Sequence, residues 1–240
     1  MTKYIPYGKH NISELDIDAV VAVLRSEWLT QGSVVPAFEE ALAKICKAKF
    51  SVAVNSGTSA LHIACLALGV GSGDTVWTSP NTFVASANCA RYCGASVDFV
   101  DIATDTWCMS VKKLRHKLEH HKSTCLPLPK VVIPVHLSGQ SCEMEAIYDL
   151  GQQYGFKIIE DASHAIGGTY QNDPVGNCRY SDITVFSFHP VKIITTGEGG
   201  IALTNDPRIQ EKMKMFRSHG ITHNPEYFSH KSGDPWYYEQ

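Results

Sequence analysis

Lys192 is the residue whose surroundings most suggest chemistry, because it stands in an apolar stretch (VKII) before a glycine-rich turn. Burying an unpaired ammonium group is costly, so such a lysine either reaches solvent or is used chemically. A desolvated lysine has a lowered pKa, and its neutral amine can condense with a carbonyl group. Lys192 is therefore a candidate nucleophile, with a plain surface lysine as the alternative.

A carboxylate candidate, Asp161, follows the apolar run KII in the segment EDASHA. A carboxylate that directly follows a strand faces the crevice in which α/β proteins bind ligands. Taken alone, Asp161 could equally be a solvated acid or a helix cap. The nearby His164 could equally be a hydrogen-bonded core histidine.

A third candidate is the segment NSGTSAL (residues 55–61), which joins a predicted strand to a predicted helix. Thr58 and Ser59 open that helix, where exposed backbone N–H groups and two hydroxyls would suit a phosphate. The alternative is that a hydroxyl only caps the helix. Ser187 lies where the strand before Lys192 ends, and Phe83 follows another strand and its turn.

The combination is more specific than any of its parts. Pyridoxal 5′-phosphate (PLP) needs a lysine for its aldehyde, a carboxylate for its pyridine nitrogen, and a helix N-terminus with hydroxyls for its phosphate. All three are expected in one crevice, and Phe83 could add an aromatic wall for the ring. The residues therefore indicate a PLP site.

These candidates depend on strands and helices that alternate along most of the chain. The runs rich in β-forming residues are 51–54, 75–78, 97–100, 131–135, 157–159, 183–186 and 200–203. Helical stretches are predicted at residues 59–68, 85–92, 111–119, 144–154 and 207–217. This alternation predicts an α/β fold with a largely parallel sheet covered on both faces.

Two more helices are predicted ahead of the first strand. Ser13 suits the N-cap of the first, whose apolar face is formed by Ile17, Val20, Val21 and Leu24. Pro36 suits the first turn of the second, whose buried side is predicted to be Phe38, Leu42 and Ile45.

Composition excludes several classes of protein. With 240 residues, 44% hydrophobic and 19% charged, the chain is expected to be globular with one or two domains. A net charge of −3 without a Lys/Arg run argues against nucleic acid. The longest mostly apolar stretch, residues 60–70, is too short to span a bilayer, and the N-terminus has no apolar signal-peptide core. We expect a cytoplasmic protein without a membrane partner.

The eight cysteines form no CxxC pair, which argues against a metal site and a thioredoxin-type motif. They are scattered through segments that look like core. A disulfide framework is the alternative, but buried free thiols suit a chain of this size better.

Six motifs resemble the DegT/DnrJ/EryC1/StrS family of sugar aminotransferases: NSGTSALH, SPNTFVASANC, VVIPVHLSGQ, IIEDASHAIG, SFHPVK and TGEGG, in this order. The resemblance covers essentially the whole chain from SEWLTQGSVVPAFEEALA onward. The segments PVHLSGQSCEMEAI and PWYYEQ are most similar to the branch that makes the UDP-4-amino-sugar precursor of pseudaminic acid.

The resemblance implies an aspartate-aminotransferase-like large domain (PLP fold type I), a three-layer α/β/α structure with a mostly parallel sheet. It implies one such domain over residues 1–240, with an N-terminal helical segment at about residues 1–35. By the same resemblance, Lys192 carries PLP and Asp161 faces the pyridine nitrogen. The other implied cofactor contacts are Thr58, Ser59 and Ser187 at the phosphate, Phe83 on a ring face and His164 near the ring or its phenolic oxygen. No metal is implied.

The implied activity is transfer of an amino group from L-glutamate to the 4-keto carbon of a UDP-linked deoxy-amino sugar. Dehydratase relatives have a histidine where SFHPVK has its lysine, so the motif favours transamination. The segment WLTQG (residues 28–32) matches one near the sugar-nucleotide pocket of the family, which is expected to act as a homodimer.

The family's smaller C-terminal domain, with an asparagine that reaches the other subunit's cofactor, has no counterpart in this chain. We therefore expect the chain alone to hold PLP weakly and to turn over slowly. The alternative is a truncated, catalytically inactive module that acts in binding or assembly. A third interpretation, another fold-type-I enzyme such as a desulfurase, has no supporting cysteine motif.

Overall fold

The computed structural model describes residues 4–6, 8–222, 224–230, 233–234 and 236–240. Within them lie seven α-helices, α1 to α7: Glu14–Leu24, Val34–Cys46, Gly57–Ala67, Ala85–Tyr92, Val111–Ser123, Met144–Tyr154 and Pro207–Arg217. The nine strands, β1 to β9, are Phe50–Val54, Thr75–Thr78, Ser96–Phe99, Val131–Ile133, Lys157–Asp161, Thr169–Tyr170, Asp173–Pro174, Ile183–Ser187 and Gly200–Thr204. Short 3₁₀ turns occupy Leu137–Gly139 and Pro225–Tyr227.

Seven of these strands form the central sheet, in the order β1-β9-β8-β5-β4-β2-β3. Strand β9 runs antiparallel to both of its neighbours, so the other six strands are all parallel to one another. Their carboxyl ends therefore share one edge of the sheet. The remaining strands, β6 and β7, form a separate two-stranded ribbon that the sequence patterns did not predict.

The sheet is buried between helices, as expected for parallel strands. Strands β8 and β9 are buried at every residue, and their apolar side chains feed core clusters shared with α2, α3 and α7. A further cluster packs α5 and α6 around the fully buried Trp77 and Leu114. This three-layer α/β/α arrangement with a mostly parallel sheet confirms the predicted fold class.

Each predicted strand of the central sheet is found within two residues of its expected bounds, but the predicted buried side of α2 is wrong at Ile45. Helix α1 follows the predicted N-cap Ser13, and none of its residues is buried, because no described element covers its apolar face. In α2, Ile45 is 64% exposed. Buried Leu42 and Cys46 follow a four-residue spacing, and Ile45 lies about 60° away from Leu42 around the helix.

Six of the eight cysteines are buried free thiols, as predicted; Cys93 is half-buried and Cys125 is exposed. Residues 1–3 and 7 of the predicted N-terminal segment lie outside the described part of the chain. Among the helices that the structure describes, none combines the length and the apolar composition needed to cross a membrane.

A close backbone approach joins β9 to the turn after β1. A Cβ atom at Gly200 would lie 2.3 Å from the carbonyl oxygen of Ser56 and 2.6 Å from the backbone nitrogen of Gly57. Both contacts are to backbone, which cannot turn aside as a flexible side chain can. Glycine at position 200 is therefore required for this packing.

Gly200→Ala should lower the free energy of unfolding by about 3 kcal/mol, because the added methyl group forces the two backbone segments apart. Gly71→Ala is the matched control, since a Cβ atom there meets nothing within 4 Å. The control should change stability by less than about 1 kcal/mol. Urea unfolding followed by circular dichroism measures both variants, and equal losses would contradict the close approach.

Candidate active site

A cavity of about 480 Å³ opens at the edge where the parallel strands end. This volume is in the range of about 300–1,000 Å³ that is usual for small-molecule sites. The cavity is lined by six of the seven predicted site residues: Thr58, Phe83, Asp161, His164, Ser187 and Lys192. The topology explains their meeting, because β1 and β8 flank β9, β5 pairs with β8, and all three parallel strands end at this edge.

The N-terminus of α3 forms one wall of this cavity. Within the described ranges, the backbone N–H groups of Gly57 and Thr58 have no acceptor, and both residues line the cavity. A Cβ atom at Gly57 would lie 2.9 Å from Cβ of Ser187, so only glycine lets the helix start against β8. Free N–H groups and the helix dipole make this wall suitable for an anion.

Ser59 is the predicted residue that the structure does not bring to this cavity. Its hydroxyl donates to Oδ1 of Asn55 at 2.6 Å, and its backbone N–H is capped by Oγ of Ser56 at 3.1 Å. Ser59 lines a neighbouring cavity of about 820 Å³ instead, beside Arg217. Ser56, the N-cap of α3, lines the first cavity together with Thr58.

Asp161 ends β5 and is 5% exposed, with hydrogen bonds at both carboxylate oxygens. Oδ2 accepts from Oγ of Ser86 at 2.6 Å. Oδ1 accepts from Oγ of Ser163 at 2.6 Å and from its backbone N–H at 3.2 Å. Sequence reasoning missed both serines. Ser163, two residues on, matches a local Asx turn, whereas Ser86 lies 75 residues away and gives no local signal.

Lys192 follows β8 by five residues and is half-buried in the cavity wall. Burial lowers the pKa of its amine, and the carboxylate of Asp161 acts in the opposite direction without cancelling the effect. Considering the described residues only, its Nζ has no hydrogen-bond acceptor or ion-pair partner. The lowered pKa favours the neutral form of the Lys192 amine more than the pKa of an exposed lysine would.

His164 is held in one tautomer. Its Nδ1 accepts a hydrogen bond from the backbone N–H of Ser138 at 3.2 Å, so the proton of the neutral ring is on Nε2. Burial, and next the charge of Lys192, lower the pKa of His164, while Asp161 raises it less. Ser138, which no sequence pattern indicated, has a left-handed φ of 54° in the 3₁₀ turn Leu137–Gly139. Because the ordinary pKa of histidine already lies below 7 and that of His164 is lowered further, its ring is neutral near pH 7.

Phe83 and two rim residues complete the cavity. Phe83 is 71% exposed, so one face of its ring is open toward a ligand or a partner. His189 and Glu198 also line the cavity, with 4.0 Å between His189 Nε2 and Glu198 Oε1. Across the part of the chain that the structure describes, no three His, Cys, Asp or Glu side chains are arranged to hold a metal ion.

The fold and this cavity define a large α/β domain of the aspartate-aminotransferase type. The chain belongs to the DegT/DnrJ/EryC1/StrS aminotransferase family, whose model matches residues 10–234. This confirms the resemblance found in the six motifs.

The chain is 42% identical to the UDP-4-amino-4,6-dideoxy-N-acetyl-beta-L-altrosamine transaminase of Campylobacter jejuni serotype O:23/36 over 217 residues, or 90% of this chain and 56% of that protein. The aminotransferase PseC of Helicobacter pylori, involved in the biosynthesis of pseudoaminic acid, matches with a TM-score of 0.84 and 34% identity. That match covers 94% of this chain and 59% of PseC.

A third relative, Spr1654 of Streptococcus pneumoniae, is known in a PLP-form and a PMP-form. Both forms are 29% identical to this chain, with TM-scores of 0.82 and 0.83. The matches cover 99% of this chain and 61% and 60% of those chains. The chain thus spans less than two thirds of each of these relatives.

The lowered pKa of Lys192 predicts its reactivity with pH. Reductive methylation requires the neutral amine, so Lys192 should reach half its maximal rate at a lower pH than N-acetyl-lysine amide. Asp161→Asn removes a charge that raises this pKa, and the midpoint should fall further. Peptide mass spectrometry over a pH series gives the rates.

The control for this experiment is Asp173→Asn, which alters a half-buried carboxylate that pairs with Lys47 and Arg179 outside the cavity and should leave the Lys192 midpoint unchanged. A Lys192 midpoint equal to that of the reference amine would contradict the burial. An upward shift in Asp161→Asn would contradict the electrostatic contact with Asp161.

Proposed function

We propose that this chain forms the large domain of a PLP-dependent nucleotide-sugar aminotransferase. The observation that carries the proposal is that Lys192, Asp161 and the N-terminus of α3 meet around one cavity. These groups lie at or after the ends of three separate strands, β8, β5 and β1.

The cavity walls fit the three polar parts of PLP. The free N–H groups of Gly57 and Thr58, with the hydroxyls of Thr58 and Ser187, suit the phosphate. The carboxylate of Asp161, which accepts three hydrogen bonds, suits a protonated pyridine nitrogen. Phe83 supplies an aromatic face, and Nε2–H of His164 suits the phenolic oxygen.

When bound, PLP supplies an aldehyde for the lysine amine and a ring that accepts electron density from the substrate. Lys192 is placed to hold and move a proton at Nζ, because it lines the cavity and burial lowers the pKa of its amine. Asp161 holds a negative charge that its serine donors fix in place. His164, neutral with its proton on Nε2, donates without adding a positive charge.

We propose L-glutamate as the amino donor and a UDP-linked 4-keto deoxy-amino sugar as the acceptor. The acceptor is supported by the C. jejuni transaminase and by PseC, two relatives whose names place them in amino-sugar metabolism. The donor rests on the resemblance to the family alone. Pseudaminic-acid-type biosynthesis is the corresponding pathway class.

A homodimer is proposed on the character of the surface beside the cavity. Phe83 and its neighbour Val84, and Val191, Ile193 and Ile194 around Lys192, are all exposed apolar side chains. Exposed apolar patches of this kind mark interaction surfaces. A second copy of the chain would cover them.

The test of the function is an amino-transfer assay with the 240-residue chain at saturating PLP. L-Glutamate and UDP-linked 4-keto-6-deoxy-HexNAc should slowly give 2-oxoglutarate and the 4-amino sugar, detected by mass spectrometry. Lys192→Ala should reduce the rate by about 10²–10⁴-fold, since it removes the proton-transfer group. Lys130→Ala, which removes an ion pair with Asp74, is the lysine control.

Equal rates in Lys192→Ala and the unmodified chain would remove the role of Lys192. A strict preference for a dTDP-linked sugar or a free 2-oxo acid would contradict the substrate assignment. PLP binding without any transfer would favour the alternative of an inactive binding or assembly module.

A further inference from the structure

Ser86 is a completely buried residue in the first turn of α4, and no role for it follows from the sequence motifs. Its hydroxyl lies 2.6 Å from Oδ2 of Asp161, 2.7 Å from Oγ1 of Thr82 and 3.3 Å from the carbonyl oxygen of Phe83. A serine has one hydroxyl proton to share among these three neighbours. The carboxylate receives it, because it is the nearest neighbour and the only anion.

The remaining bond then has a fixed direction. With the Ser86 proton given to Asp161, the short contact to Thr82 is a hydrogen bond only if Thr82 donates to the Ser86 oxygen. Such a chain of hydroxyls polarises each bond and strengthens the last one. Thr82 and Ser86 therefore act together on Oδ2 of Asp161.

The acceptor sites of the Asp161 carboxylate show why Oδ2 matters. Each oxygen has about two lone-pair positions. Both positions of Oδ1 are taken by the backbone N–H and hydroxyl of Ser163. Among the described residues, Oδ2 has one donor, Ser86, so a new donor in the cavity must bind the second position of Oδ2.

We propose that Ser86 is a positioning residue that fixes Oδ2 of Asp161 toward a ring nitrogen bound in the cavity, with Thr82 supporting its hydroxyl. The proposal rests on the proposed function, since it assigns the Asp161 carboxylate to that nitrogen. Ser163 alone holds one oxygen and one side of the carboxylate. Donors on both oxygens, from α4 and from the loop after β5, leave it a single orientation.

The backbone turn that leads into α4 also carries the aromatic wall. The backbone N–H of Ser86 donates to the carbonyl of Phe83 at 3.2 Å, so one hydrogen-bonded turn joins Ser86 to Phe83. A ring that stacks on Phe83 would thus meet the Asp161 carboxylate, which Ser86 aligns from the other end of this turn. Ser86 thus links the ring-stacking contact at Phe83 to the carboxylate contact at Asp161.

The test compares Ser86→Ala, Ser86→Thr and Ser79→Ala in the 240-residue chain titrated with ¹⁵N-labelled PLP. Ser79 is the matched control, because it is an equally buried serine whose hydroxyl has no partner among the described residues. Visible absorbance gives the Kd for PLP. The ¹⁵N resonance of the bound ring reports whether the pyridine nitrogen is protonated.

Ser86→Ala should weaken PLP binding about tenfold, because an anion loses one charge-assisted hydrogen bond. Its ¹⁵N resonance should move toward that of an unprotonated ring. Ser86→Thr retains the hydroxyl and should restore both values toward those of the unmodified chain. Ser79→Ala should change neither.

If Ser86→Ala behaves like Ser79→Ala in both measurements while the unmodified chain binds PLP, the role of Ser86 is overturned and the proposed function stands. If the unmodified chain shows neither a visible band nor a bound resonance, both are overturned. Should Ser86→Ala fail to fold, Thr82→Val decides. It leaves Ser86 unsupported and should shift the resonance in the same direction, and an unshifted resonance would overturn the proposal.

Discussion

The active-site cavity depends on one constraint: residue 200 must be a glycine, because the backbone of Ser56 and Gly57 leaves no room for a Cβ atom. As the first residue of β9, Gly200 pairs with Val54 at the end of β1 and with Ser187 at the end of β8. Because nothing projects from it, the chain after β1 turns against it into α3. One antiparallel strand thus brings a helix N-terminus directly beside the strand that leads to Lys192.

At the same edge of the sheet, the adjacent acids Glu160 and Asp161 have different roles. Successive side chains of β5 point to opposite faces. Burial would raise the pKa of Glu160, but hydrogen bonds from His136, Ser181 and Thr184 outweigh it and lower the pKa. Glu160 is buried, and His136, Ser181 and Thr184 bind its carboxylate, whereas Asp161 keeps an acceptor position toward the cavity. Its charge partly offsets the burial of Lys192, which leaves the amine less basic but still coupled to a carboxylate.

Much of the fold was predictable from the sequence, because β-rich runs and helical periodicity are local properties. The ends of β2, α4, α6 and α7 match their predicted bounds, and the strand-end rule located Asp161 and Ser187 in the crevice. The wrong prediction for Ile45 of α2 depended on packing, which decides the side of the helix that is covered. No described element covers the apolar face of α1, and the Ser59 hydroxyl donates to Asn55. The Ser86 contact joins positions 75 residues apart, and no spacing rule connects them.

The central claim is that one cavity gathers the amine, the carboxylate and the anion site for a single cofactor. A crystal structure of this chain grown with PLP tests all three contacts together. The account predicts continuous electron density from Lys192 to the cofactor, the phosphate on the N–H groups of Gly57 and Thr58, and the ring nitrogen on Oδ2 of Asp161. Cofactor bound in the neighbouring cavity beside Arg217, or attached to another lysine, would contradict it.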